Sequence, residues 1–326
     1  MRRIIGLVVF AAVLWGGYWF VASNAVKQAV TNAVEADPRI SASDIRLAGF
    51  PNRFDTTFTE PSWSDPAFTW SAPFFQTFAL SYKPTHLVMV WPETQDLTFA
   101  GNTISIAQED LRASVVFEGL TALRLARTTM VGDALTVSIP GVADTTVGVL
   151  RAATRLSDDT GNRHQAAIAV EDIRLPATLA TAVFGPTPPP GLIAQIDADL
   201  GLAFDAPLDR ESLAALPAPQ MTQIAVTSAK LSWGPLQLSA DGTLDIDARG
   251  RPMGRINLVF EDWRAWFDAL DVLGLIPAET AQTWRRAGEL LAATSGSSDT
   301  LSAPLSFQNG FMSLGPLPLG PAPRFR

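Results

Sequence analysis

The sequence predicts a mainly β protein: a long, curved antiparallel sheet with a few short helices, preceded by an N-terminal transmembrane helix. Three observations lead there. Arg2 and Arg3 precede an uncharged apolar run over residues 4–22. From Ser41 onward the dominant hydrophobic period is two, as a strand with one greasy and one wet face requires. Helical periodicity beyond the N-terminus is confined to a few short stretches.

The N-terminal element comes first. Residues 4–22, rising ~1.5 Å each in a helix, span roughly 29 Å, close to the ~30 Å hydrocarbon core of a bilayer. Trp15, Tyr18, Trp19 and Phe20 gather at the far end, as in an interfacial aromatic belt. A cleaved leader is the competing reading, with Ser23-Asn24-Ala25 as its small-x-small site. The apolar run is longer than the ~7–15 residues of a leader, which favours a retained signal-anchor. Arg2 and Arg3 stay on the cytoplasmic side, so the bulk of the chain is expected outside, in the periplasm, behind a single pass through the inner membrane. Val26, Val30 and Ala33 continue the helix, and Asp37-Pro38 stops it.

The body follows. Its clearest strand is 236–248, with Leu236, Leu238, Ala240, Leu244, Ile246 and Ala248 on one parity and mostly polar residues on the other. The same alternation marks Ile196, Ala198, Leu200, Leu202 and Phe204 against Gln195, Asp197 and Asp199. Shorter examples are Leu111, Ala113, Val115, Phe117 and Leu135, Val137, Ile139. Strands with one wet face point to antiparallel sheet. Short helices are expected over 176–184, along Trp263, Trp266, Phe267 and Leu270, and along Trp284, Ala287, Leu290 and Leu291. The last starts near Pro277 and ends near Ser295-Gly296-Ser297-Ser298.

Pro186-Thr187-Pro188-Pro189-Pro190-Gly191 is the strongest internal break. The expected organisation is an anchor over 1–22, a continuing helix over 23–37, a first β-rich half over 38–190 and a second over 191–326. The halves echo each other. Asp158-Asp159-Thr160-Gly161 and Asp247-Ala248-Arg249-Gly250 read as turns, each followed by a strand and a Glu-Asp pair. Asp172 and Asp262 are expected as helix N-caps. Ser232-Trp233-Gly234-Pro235-Leu236 recurs as Ser313-Leu314-Gly315-Pro316-Leu317. A partial repeat explains these echoes, and so does chance likeness between amphipathic hairpins.

Composition excludes several functions. A net charge of −8 argues against a nucleic-acid partner, since phosphate needs a basic face. With no cysteine there is no disulfide, thiolate metal site or Cys nucleophile. The two histidines, His86 and His164, read as structural or solvent-facing. Neighbouring acids such as Glu109-Asp110 and Glu261-Asp262 point apart on a strand or serve as caps. No phosphate loop, nucleophile elbow or zinc motif occurs, and no enzyme activity, cofactor or metal is expected. Residues 50–82 are dense in Phe, Trp and Tyr, which suits either ordinary core packing or a membrane-facing rim.

The candidate ligand-binding residues are Ile196, Leu200, Leu202, Phe204, Leu236, Leu238, Leu244 and Ile246, expected on one side of one sheet. A long apolar sheet face must be covered by helices, a second sheet or a ligand.

Gly49-Phe50-Pro51-Asn52-Arg53-Phe54, Trp70-Ser71-Ala72-Pro73-Phe74-Phe75-Gln76 and Ala79-Leu80-Ser81-Tyr82-Lys83-Pro84 resemble an uncharacterised Gram-negative family, domain of unknown function 2125. Phe307-Gln308-Asn309-Gly310-Phe311 and Leu314-Gly315-Pro316-Leu317-Pro318-Leu319-Gly320 are similar to that family's C-terminal end. The resemblance implies no activity and no catalytic residue. More distantly the architecture resembles AsmA-like envelope proteins, which implies a link to lipid transport and envelope homeostasis. The expected function is binding of a lipid or other apolar ligand on the curved sheet. The alternative is a structural or adaptor protein of the envelope with a self-packed core; neither reading names a protein partner.

Overall fold

A computed structural model describes residues 1–158, 160–188, 192–215, 217–274, 276, 281–294 and 299–325. Strand accounts for 51% of it and helix for 23%, in the mainly β class the alternation predicts. Helix α1 (Arg2–Ala36) is continuous through the expected anchor and its continuation. It ends where Asp37, before Pro38, takes an extended conformation at φ −107°.

Ten strands follow in quick succession: β1 (Ile40–Ser41), β2 (Asp44–Ala48), β3 (Arg53–Thr59), β4 (Ser62–Ser64), β5 (Phe68–Ser71), β6 (Phe74–Leu80), β7 (Lys83–Val90), β8 (Thr94–Phe99), β9 (Asn102–Ala107) and β10 (Asp110–Glu118). They form two antiparallel arms. One runs β2-β3-β6-β7-β10, the other β1-β4-β5-β8-β9. Both arms join one edge of β11 (Arg124–Ser138). Its first part pairs with β10, and Thr136, Val137 and Ser138 pair with β9. Between the two stretches Ala134 is left-handed at φ 51°, a local kink at the fork across which the register with β12 is kept. The arms face one another through rings. Phe75 on β6 lies 6.2 Å from Trp70 on β5, and 5.1 Å from Trp91. In the fork, the Trp70 indole donates to Gln95 at 2.7 Å, and the buried Gln108 side chain donates to the Pro92 carbonyl. These buried amides are thereby hydrogen-bonded.

From β11 the sheet continues as a single antiparallel meander: β12 (Thr145–Leu156), β13 (Arg163–Ile173), β14 (Ala194–Phe204), β15 (Met221–Trp233), β16 (Leu236–Ile246), β17 (Pro252–Glu261), β18 (Thr300–Gln308), β19 (Phe311–Leu314) and β20 (Leu317–Pro321). β13 pairs with β14, so the sheet runs unbroken between the two expected halves. Strand β16 stops at Ile246, two residues short of the expected end. There the Asp247 carboxylate accepts from the backbone N–H groups of Arg249 and Arg251 and closes a turn. Its hydrogen bond with the Arg251 side chain holds its pKa down at about 2. Ile139 likewise falls just outside β11.

Both Gly-Pro turns form hairpins, with Trp233 opposite Leu236 and Leu314 opposite Leu317. Gly234 and Gly315 take φ of 57° and 54° at the first turn position, where a two-residue hairpin needs a positive φ and proline fits the second.

Four short helices lie along the meander: α2 (Ala177–Phe184), α3 (Arg210–Ala214), α4 (Trp263–Val272) and α5 (Ala281–Thr294). Asp172 does not cap α2. It lies within β13 at φ 55°, and the strand carries on beyond it because Arg174 bridges back to Thr146; α2 starts only after Pro176. Asp262 does precede α4, also left-handed at φ 48°, but its side chain makes no cap bond. Among the described residues a carboxylate that does cap is Asp209, accepting from the Ser212 N–H at 2.9 Å ahead of α3. In α5 the core-facing stripe passes through Trp284, Leu291 and Ala292, while Leu290 is exposed. Gly288 belongs to that stripe, because a Cβ there would sit 2.6 Å from the Trp263 ring. The expected features at Asp159, Pro189, Pro190, Gly191, Pro277 and residues 295–298 lie outside the described residues.

Candidate functional site

Strand register sorts the meander into two faces, because residues opposite one another in a ladder point the same way. One row reads Val170, Ile196, Leu231, Leu238, Phe260, Leu301 across six neighbouring strands. A second reads Ala166, Leu200, Val226, Gly242, Ile256, Leu305, and a third His164, Leu202, Ile224, Leu244. Leu236 and Ile246 share the parity of Leu238 and Leu244 on the same strand, and the Phe204 ring stands 6.2 Å from that of His164. All eight sequence-selected residues therefore share one apolar face.

What covers that face varies along it. Leu236 is 1% exposed, packed with Trp233 and Ala194 beneath α2 and α4. Phe260 and Leu301 lie under α4 and α5 through Trp263, Phe267 and Ala292. Leu244 is buried with Ile256 and Phe307, and Ala322 of the C-terminal tail packs on that cluster. Ile246 is buried too. In the middle the cover ends. Ile196 keeps 38% of its surface exposed, as does Ile168 on the neighbouring strand. Leu200, Leu202, Phe204 and Leu238 are half-buried.

A small apolar hollow of about 60 Å³ sits on this face under α4 and α5, and one of about 600 Å³ at the sheet edge between Ala122 and α3. Two more lie on the opposite face. One of about 500 Å³ is lined by Arg127, Arg155, Gln165 and Asp199 over a floor of Ala153, Ala167 and Gly201. Another of about 340 Å³ adjoins it, sharing Ala153, Ala167 and Asp199 and adding Arg151 and Asp197. Sequence reasoning missed them. Their signal is the small residues Ala153, Ala167, Ala169 and Gly201, which share the wet parity with the charges.

Among the described residues, titratable groups do not gather into a reacting cluster. His86 Nε2 lies 2.8 Å from Ser114 Oγ on the next strand. His164 is 3% exposed, and neither ring nitrogen has a hydrogen-bond partner among the described residues. Burial holds its pKa below the ordinary 6.5, outweighing the nearby Asp158 carboxylate. Asp110 pairs with Arg112 at 2.8 Å, an i,i+2 contact along one strand face that also joins Asp44 to Arg46 and Asp55 to Arg53. No group of three or more His, Asp or Glu side chains among the described residues stands ready to hold a metal ion.

The membrane end is built separately. Helix α1 is long and apolar enough to cross a bilayer, with a mean hydropathy of 2.1 over its best window. Its aromatic end docks on the tips of two hairpins. The Trp15 indole donates to the Pro51 carbonyl at 3.0 Å, Tyr18 to Ser81 at 2.9 Å, and Trp19 to Arg53 at 2.8 Å. Trp19 is buried against Phe50 and Phe54.

No curated protein and no solved structure matches the chain, and the AsmA-like resemblance stays an expectation. A family model does match, over residues 19–323, from the aromatic end of α1 to the last strand's tail. With the motifs at both ends inside that span, the chain belongs to the family of uncharacterised proteins conserved in bacteria known as DUF2125.

Proposed function

We propose that this is a single-pass, membrane-anchored envelope protein, with its sheet on the periplasmic side, that binds an acyl chain or similar apolar ligand on the uncovered middle of its apolar face. No catalytic step is part of this reading. The observation that carries it is the exposure of Ile168 and Ile196, at 38% each, in the middle of a face whose ends are packed. The row from Val170 to Leu238 crosses four strands; with the adjoining β12 it extends roughly 19 Å at ~4.8 Å per strand. One leaflet's acyl chain reaches ~15 Å, half of a ~30 Å hydrocarbon core, so the lengths agree. Burying a methylene contributes ~0.8 kcal/mol. Ten of them give about 8 kcal/mol before ordering costs are subtracted, which caps the affinity near the micromolar range.

The test is uptake of a fluorescent fatty acid by the delipidated protein in detergent, with mass spectrometry of co-purifying lipid. Ile196→Asp should abolish uptake and leave the protein folded, since the side chain is already partly in water. Leu244→Asp should unfold it. No uptake by the unsubstituted protein at tens of micromolar overturns the reading. The adaptor alternative gains in that case, and the burial of Leu236, Leu244 and Ile246 is what supports it.

A further inference from the structure

The docking of α1 sets a depth. Trp15 lies ~20 Å along the helix from Arg2, at ~1.5 Å per residue. A hydrocarbon core is ~30 Å thick. If α1 spans it from Ile4, just after Arg3, Trp15 lies ~17 Å in and is still ~13 Å short of the far boundary, and a tilted helix puts it deeper. The Pro51 carbonyl is hydrogen-bonded to Trp15, so the β2–β3 tip is at the same level. The β6–β7 tip is held alongside by Tyr18.

We propose that the tips of the β2–β3, β6–β7 and β10–β11 hairpins dip into the outer leaflet of the bilayer that α1 crosses, with Phe50, Tyr82 and Leu120 facing lipid. This rests on the anchor reading above. The three tips are neighbours along one sheet edge, since β3 pairs with β6, β7 with β10 and β10 with β11. Each presents a large exposed side chain, at 56%, 64% and 71%. Backbone carbonyls entering lipid need partners. Those of Pro51, Ser81 and Arg53 accept from Trp15, Tyr18 and Trp19, all on the membrane helix itself. Lys83 and Arg53, the latter paired with Asp55, stand at the foot of the first two tips, long side chains of the kind that snorkel toward lipid phosphates. Further along the same edge the tips at 158–162 and 247–251 are polar, while Leu213 between β14 and β15 and Phe311 beside the β18–β19 turn are exposed at 55% and 64%; the three tips next to α1 differ in being hydrogen-bonded to the membrane helix or adjoining those that are.

The chain has no cysteine, so single labels are clean. Full-length Phe10→Cys, Phe50→Cys, Tyr82→Cys, Leu120→Cys and Val142→Cys, each carrying an environment-sensitive fluorophore, go into vesicles of phosphatidylethanolamine and phosphatidylglycerol. Val142 is exposed at the opposite sheet edge and serves as the aqueous control. The expected result is a blue shift and quenching by spin-labelled lipid at 50, 82 and 120. Deep quenching is expected at 10, and quenching by aqueous iodide alone at 142. Because Phe50 packs on Trp19, the decision rests on Tyr82 and Leu120. If position 10 is quenched by lipid while 82 and 120 answer only to iodide, the immersed tips are refuted and the anchor stands. If position 10 answers to iodide, both fail.

Discussion

The forked head and the single meander solve one problem differently. In the head, two five-stranded arms turn toward each other, and Phe75, Trp70, Phe58 and Trp91 fill the space between. In the meander, one sheet relies on α2, α4, α5 and the C-terminal tail for cover. A second sheet covers a face along its length, whereas a helix ~10 Å wide covers a strip. The difference teaches where an apolar face stays open: between strips, at Ile168 and Ile196.

The comparison breaks most severely at a covered strip. Leu236, 1% exposed under two helices, has no water to lose and no room to collapse. Leu236→Ala should cost about 4 kcal/mol, read by chemical denaturation. A loss under about 1 kcal/mol would mean that α2 and α4 do not seal that end. The head should be softer at its ring contacts. Phe75 is half-buried, so Phe75→Ala should cost about 2 kcal/mol, and should loosen hydrogen exchange in both arms together. Exchange that changes in one arm alone would separate them.

The smallest effect is a pH dependence at the far end of the meander's third apolar row. His164 is buried and neutral, with its pKa held below 6.5, while in the unfolded chain it titrates normally. The unfolded state then binds more protons, so stability is complete above 6.5 and falls as pH drops through that value toward the folded pKa. His164→Gln should flatten that acid-side loss in the thermal midpoint. An unchanged slope would show that His164 does not carry the loss; Asp247, with its pKa held at about 2, gives up its stabilisation only well below this window.

Much of this was legible in the residues. Alternation in 236–246 and 196–204 placed eight side chains on one face correctly, because a strand's period of two fixes which way each one points. The Gly-Pro hairpins and the Trp263 and Trp284 stripes were legible for the same local reason. Helix caps were less so: the Glu-Asp pairs hid two left-handed strand exits, and the working cap was Asp209. An Asp ahead of a helix is compatible with either outcome, and the choice at Asp172 was made by Arg174 pairing with Thr146 on another strand.

By itself, then, the sequence determined the membrane-length helix, the antiparallel class and the sidedness of each strand, all properties of neighbours in the chain. The tertiary structure alone decided the rest. It put the fork at Ala134, two adjoining hollows on the wet face, and the helices over Leu236 and Leu301 but not over Ile196. The physical reason is that a hydrophobic pattern specifies that a face must be covered, while the cover arrives from segments tens of residues away, in positions set by register and bulges that no local period encodes.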